Sequence, residues 1–112
     1  MDDETTQLAS MLKALGNPVR LQILTYLAST RGCITNDIVQ QIPLAQSTIS
    51  QHLKVLRQAG LILGEIEGPA TCYCLSPQGL RWLRAAFLQT LDSLETQPEP
   101  QLIQLETRSE KP

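Results

Sequence analysis

A mainly α-helical domain carrying one small β-hairpin is the fold class this sequence predicts. Three observations carry the prediction. Apolar residues recur at steps of three and four over most of the chain, the spacing of helices with one buried face. The period changes once, after Gly60, to two short runs rich in β-formers. Residues 46–62 join an apolar stripe to a face of short hydrogen-bonding side chains and stop at a glycine.

The elements follow in order. Leu8, Met11, Leu12 and Leu15 mark a first helix, which Gly16 ends. Asn17 before Pro18 is an N-cap followed by proline at the first helical position. The second helix runs from there to about Ser29, with Val19, Ile23, Leu24 and Leu27 inside. Cys33-Ile34-Thr35 is short and β-prone, as one small strand requires. Thr35 or Asn36 caps the next helix, which carries Ile38, Val39 and Ile42 and ends at Pro43. The polar-faced helix begins almost at once, so the pair makes a helix-turn-helix. Leu61 to Glu67 and Thr71 to Leu75 read as two strands around a Gly68-Pro69 turn, a wing. Ser76 and Pro77 then open a last helix whose Leu80, Leu83, Phe87, Leu91 and Leu94 form a long stripe. The fold expected is therefore a winged helix-turn-helix.

Two apolar stripes, on the first and last helices, exceed what one small core can hold. They read as the halves of a homodimer interface, with packing inside a single core as the alternative. Four aromatic residues in 112 also point to help from oligomerisation. Residues 1–95 are expected to form the DNA-binding and dimerisation domain. Residues 96–112, opened by Gln97-Pro98-Glu99-Pro100, are expected to be a disordered acidic tail, unless Leu102-Ile103-Gln104-Leu105 docks.

The net charge of −2 at first argues against a nucleic-acid partner. Most of the acids, however, sit at the ends: Asp2, Asp3 and Glu4, then Asp92, Glu95, Glu99, Glu106 and Glu110. The middle is mildly basic, which permits contact with DNA. No run approaches the ~18 apolar residues of a membrane span. The acidic start does not look like a secretory leader, so a cytoplasmic location is expected. Three cysteines, an odd number, speak against a disulfide framework and for metal, redox or packing roles.

Ile49, Leu53 and Leu56 share the buried face of the polar-faced helix. Gln46, Ser47, Thr48, Ser50, Gln51, His52 and Lys54 occupy the other. A helix entering a major groove needs this layout: compact donors and acceptors for base edges and phosphates, and a cation. An ordinary solvated surface helix is the plain alternative.

At this point the chain resembles the ArsR/SmtB family of bacterial winged-helix repressors over roughly residues 5–95. The carriers are Ala14-Leu15-Gly16-Asn17-Pro18-Val19-Arg20-Leu21-Gln22-Ile23-Leu24 and the stretch from Gln46 through Ser50-Gln51-His52-Leu53-Lys54-Val55-Leu56-Arg57-Gln58-Ala59-Gly60 to Leu61. The resemblance implies a homodimer on an imperfect inverted repeat of double-stranded DNA, released by an effector that is often a thiophilic or transition metal ion. It implies base or phosphate contacts at Ser47, Thr48, Ser50, Gln51 and His52, a phosphate contact at Lys54 and a weaker one at Arg57, with Gln46 at the helix start. The wing departs from the family pattern, since Glu65, Glu67, Gly68, Pro69 and Ala70 stand where arginines are common. It should add little phosphate affinity. His52, the sole histidine, reads as a helix-face residue touching phosphate or solvent rather than as a metal ligand.

Cys72 and Cys74 are two apart on a strand, about 6.5–7 Å between Cα atoms, so both thiols can approach one ion. In winged helices the small strand that here holds Cys33 pairs with the second wing strand, which lets all three thiols converge. Three thiolates without a nearby histidine or carboxylate suit a soft ion. Trivalent arsenic or antimony, bound by Cys33, Cys72 and Cys74, is the effector expected; no obligatory cofactor is. Two departures count against a standard site. The family's Cys-x-Cys arsenite box falls on Ile34 and Asn36, with Cys33 one place earlier, and the last helix lacks the histidines of the family's zinc site. A thiol-redox or persulfide switch and plain packing of small apolar side chains remain open.

The lack of a nucleophile–base pair and of a glycine-rich phosphate loop argues against an enzyme. A winged helix used only to bind protein is the rival from another class. Substitution of Ser47, Gln51 and Lys54 separates the two, because only a DNA reader loses operator affinity.

Overall fold

The structure, a computed structural model, describes residues 2–30, 42–67, 70–98 and 100. Side chains are described outside residues 65–72 of the hairpin. Helix α1 spans Asp3–Leu15, α2 Pro18–Ala28 and α3 Gln46–Gln58; strands β1 Ile62–Glu67 and β2 Ala70–Leu75 precede α4, Pro77–Glu95. The expected strand at residues 33–35, the body of the helix before Pro43, the Gly68-Pro69 turn and Leu102 to Leu105 lie outside the described residues.

Local chemistry sets the helix ends. Asp2 Oδ1 accepts from the Glu4 amide at 2.8 Å and Oδ2 from the Thr5 hydroxyl at 3.1 Å, so α1 starts five residues before its first buried leucine. Those bonds, the Glu4 amide first, hold the Asp2 carboxyl below its ordinary value. Asn17 Oδ1 accepts from the amides of Val19 and Arg20, and Pro18 fills the first position of α2. Ser76 Oγ accepts from the Gly79 amide, with Pro77 first in α4. Gly16 ends α1 at φ −77, without the left-handed turn its glycine permits. Gly60 does adopt that turn, at φ +84. Its amide bonds to Arg57 O and the Leu61 amide to Leu56 O, each at 3.0 Å, a Schellman closure of α3.

The core gathers Leu8, Met11 and Ala14 of α1, Ile23 and Leu27 of α2, Ile42, the Ile49, Leu53 and Leu56 stripe of α3, Leu61, Ile62 and Leu83. Val19 and Leu24, expected inside, are half-buried against it. Helix α3 packs on α1, α2 and β1, while β2 packs on α2. The strands pair antiparallel from Ile62 opposite Leu75 to Glu67 opposite Ala70. A backbone bond from Ser76 to Leu61 O, 3.0 Å, ties the exit of the hairpin to its entrance. Beside it, Gly79 lies so close to the Gly60 carbonyl that a Cβ at Gly79 would collide with that oxygen.

The stripe of α4 is divided. Leu83 is buried, Leu80 and Leu91 are half-buried, and Phe87, Leu88 and Leu94 are exposed. Leu94 is 65% open to solvent within one chain. A groove between α1 and α4 is lined by Thr5, Leu8, Ala86, Thr90 and Leu94. Among the described residues no helix is long and apolar enough to cross a membrane.

Candidate nucleic-acid interface

Helix α3 owes its orientation to its apolar stripe. Ile49, Leu53 and Leu56 are 1%, 5% and 0% exposed, so the opposite side must face out. Gln46, Ser47, Thr48, Ser50, Gln51, Lys54 and Arg57 are all exposed. At about 100° per residue, Ser47, Gln51 and Lys54 fall in one sector opposite the buried stripe. Gln46, Ser50 and Arg57 form one flank, next to β1. The Arg57 stem runs over that strand, its Cδ 3.5 Å from where a Cβ on Gly64 would stand. Thr48 and His52 form the other flank.

The start of α3 differs from those of the other described helices. Its N-cap is Ala45, which offers no side-chain acceptor. The Thr48 and Ile49 amides both turn to Ala45 O, and no side chain caps the amides of the first turn. Such a terminus offers N–H donors and the positive end of the helix dipole to an anion. No acid occupies the first turn to compete.

His52 is not a freely projecting residue. It is half-buried, and its Nδ1 stands 3.2 Å from Arg20 Nη1 of α2. Arg20 Nε donates to Ala14 O at 2.6 Å, and Nη2 reaches Lys13 O at 3.4 Å. One guanidinium thus joins the end of α1, the start of α2 and the middle of α3. Sequence reasoning gave Arg20 no role. The signal was present, since Arg20 lies inside the first stretch that carries the family resemblance, but its partner is 32 residues away.

The cysteines are placed only in part. Cys33 and the side chain of Cys72 lie outside the described residues, and the Cys74 side chain is half-buried. The register sets Cys74 opposite Leu63 and Cys72 opposite Glu65.

Comparison with known proteins bears on the family and the fold. Residues 17–63 match the family model described as "Bacterial regulatory protein, arsR family". The chain is 42% identical over 69 residues to the transcriptional regulator NmtR of Mycobacterium tuberculosis, covering 62% of this chain and 57% of that protein. It is 36% identical over 70 residues to the transcriptional repressor SmtB of the same species, covering 62% and 51%. The matched stretch therefore spans little more than half the length of these relatives. A crystal structure of a possible transcriptional regulator for arsenical resistance superposes with a TM-score of 0.64 at 35% identity, covering 81% of this chain and 98% of that one. These relatives are described as regulators of transcription, none as an enzyme.

Proposed function

This chain belongs to the arsR family of bacterial regulatory proteins, and we propose that it is a DNA-binding transcriptional repressor, acting in the cytoplasm as a homodimer. One observation carries the reading: α3 buries a continuous apolar stripe and turns Ser47, Gln51 and Lys54, with an uncapped N-terminus, to solvent. Serine and glutamine read base edges or phosphates, and Lys54 takes phosphate. Thr48, Ser50, His52, Gln46 and Arg57 flank that sector and contact the backbone on either side. Two copies joined through the exposed Phe87, Leu88 and Leu94 of α4 and the neighbouring α1 place two α3 helices on one inverted repeat. The unit proposed for this role is residues 1–95.

The effector is proposed to be trivalent arsenic or antimony, held by Cys33, Cys72 and Cys74. Its support is the Cys-x-Cys spacing on β2, together with a relative of the same fold described as a possible regulator for arsenical resistance. Binding draws on β2, which packs on α2, while β1 packs on α3. A coupling of ~1–3 kcal/mol is enough to change operator affinity by one to two orders of magnitude. The test is the double variant C72S/C74S in a DNA-release assay. Operator binding is expected to persist while arsenite no longer releases it. Release by arsenite from the double variant contradicts the site, and release by a mild oxidant alone moves the sensing to thiol redox chemistry.

A further inference from the structure

We infer that Arg20 is a positioning residue that fixes the tautomer of His52 and so aims a single N–H donor at the DNA. Guanidinium groups carry only donors and stay protonated. The 3.2 Å approach of Arg20 Nη1 to His52 Nδ1 is therefore a hydrogen bond only if Nδ1 is the acceptor. In the neutral ring the proton then resides on Nε2, across the ring from Arg20. Among the described residues Nε2 has no partner.

Arg20 is itself held hard. Its Nε bond to Ala14 O is 2.6 Å, and the Lys13 carbonyl is a second, longer contact at 3.4 Å. These carbonyls belong to the last turn of α1, where a cation is favoured; the Lys13 carbonyl also accepts from the Gly16 amide at 3.2 Å. With the guanidinium anchored on α1 and α2, the imidazole cannot turn without losing its bond. His52 shares its flank of α3 with exposed Thr48 and adjoins exposed Gln51. A fixed Nε2–H at that edge meets acceptors only, such as a phosphate oxygen or the O6 and N7 of guanine. A solvated histidine could present either edge; this one presents a donor. The DNA half of the inference rests on the repressor reading, whereas the tautomer does not.

His52 is the only histidine, so its ring nitrogens can be read in a 15N spectrum of the whole chain without assignment. At about pH 8, where a histidine ring is ordinarily neutral, the wild type is expected to show one tautomer, with an acceptor-type Nδ1 and a protonated Nε2. Arg20→Met should relax the pattern toward the mixture of a free imidazole. A protonated Nδ1 in the wild type, or a pattern unmoved by Arg20→Met, overturns the clamp. Should that variant fold poorly, His52→Asn and His52→Gln divide the ring's functions. An asparagine amide reaches about as far as Nδ1 and satisfies Arg20, while a glutamine amide reaches about as far as Nε2. On DNA from upstream of the protein's own gene, His52→Gln should stay near wild-type affinity. His52→Asn should lose about tenfold per half-site, the value of one hydrogen bond to a charged or fixed acceptor. Equal affinity for the two variants overturns the outward donor. A wild type with no affinity for any duplex overturns the DNA reading, and with it the donor's role, while the spectrum still tests Arg20.

Discussion

Gly79→Ala is a small substitution with a large expected cost. Two effects oppose each other. Alanine inside a helix is worth up to ~1 kcal/mol over glycine, and less in the first turn, where Gly79 lies. Against that, the new Cβ would collide with the Gly60 carbonyl oxygen and press on Ser76 Oγ at 3.1 Å. The oxygen cannot yield cheaply. Its peptide carries the Leu61 amide that closes α3 on Leu56 O, and the Ser76–Leu61 bond pins the backbone beside it. Overpacking against a fixed neighbour costs about 1–3 kcal/mol. The net is a loss of roughly 1–2 kcal/mol, or several degrees in Tm for a domain of this size. Two further glycines make the comparison internal. A Cβ on Gly16 finds only ordinary contacts at 3.4 and 3.7 Å with φ −77, so Gly16→Ala should be neutral or slightly stabilising. Gly60→Ala has room but a left-handed φ, and should cost about 1–2 kcal/mol. Urea unfolding of the three variants at one protein concentration reads the order. A Gly79→Ala protein as stable as Gly16→Ala refutes the close packing of α4 on the end of α3.

Other outcomes follow from the same geometry. Lys54→Gln should weaken DNA binding on all sequences alike and lower the salt-dependence slope by about 0.9 for each phosphate that the side chain neutralises; an unchanged slope removes Lys54 from the interface. Leu94→Asp with Phe87→Asp, both exposed in one chain, should leave the helical content intact and shift sedimentation to a monomer. A dimer that survives both charges places the interface elsewhere. Acidification should loosen the start of α1. The carboxyl of Asp2 is held below its ordinary value when folded, so its contribution is present above that value and is lost as pH falls through the lowered one. Asp2→Asn, with hydrogen exchange read at Thr5 and Thr6, should remove this dependence, and persistence of it would assign it to another group.

Local chemistry was the most legible part of this chain. Asn17-Pro18 and Ser76-Pro77 carry their own capping and φ constraints, and the structure starts α2 and α4 at those residues. The α3 stripe was legible because three apolar residues at steps of four and three permit only one buried face. Asp2 was visible only as an acid in an acidic terminus; its cap needed the amide of Glu4 in place. Gly16 was legible as a stop but not as a stop without the left-handed turn. The contacts that organise the site were not legible at all. Arg20 and His52 are 32 residues apart, and Gly79 meets Gly60 only after the hairpin has folded back. Each depends on how helices settle against one another, which no periodicity encodes. The same holds for the pairing of Glu65 with Cys72 in the ladder, a matter of hairpin register.

The most direct test of the repressor reading is fluorescence anisotropy of the reduced protein on duplex DNA from upstream of its own gene, titrated with arsenite and antimonite, with zinc and a mild oxidant as controls. Tight, salt-sensitive binding and release by the trivalent ions alone are expected. Absence of any binding that exceeds that to unrelated duplex would contradict the reading.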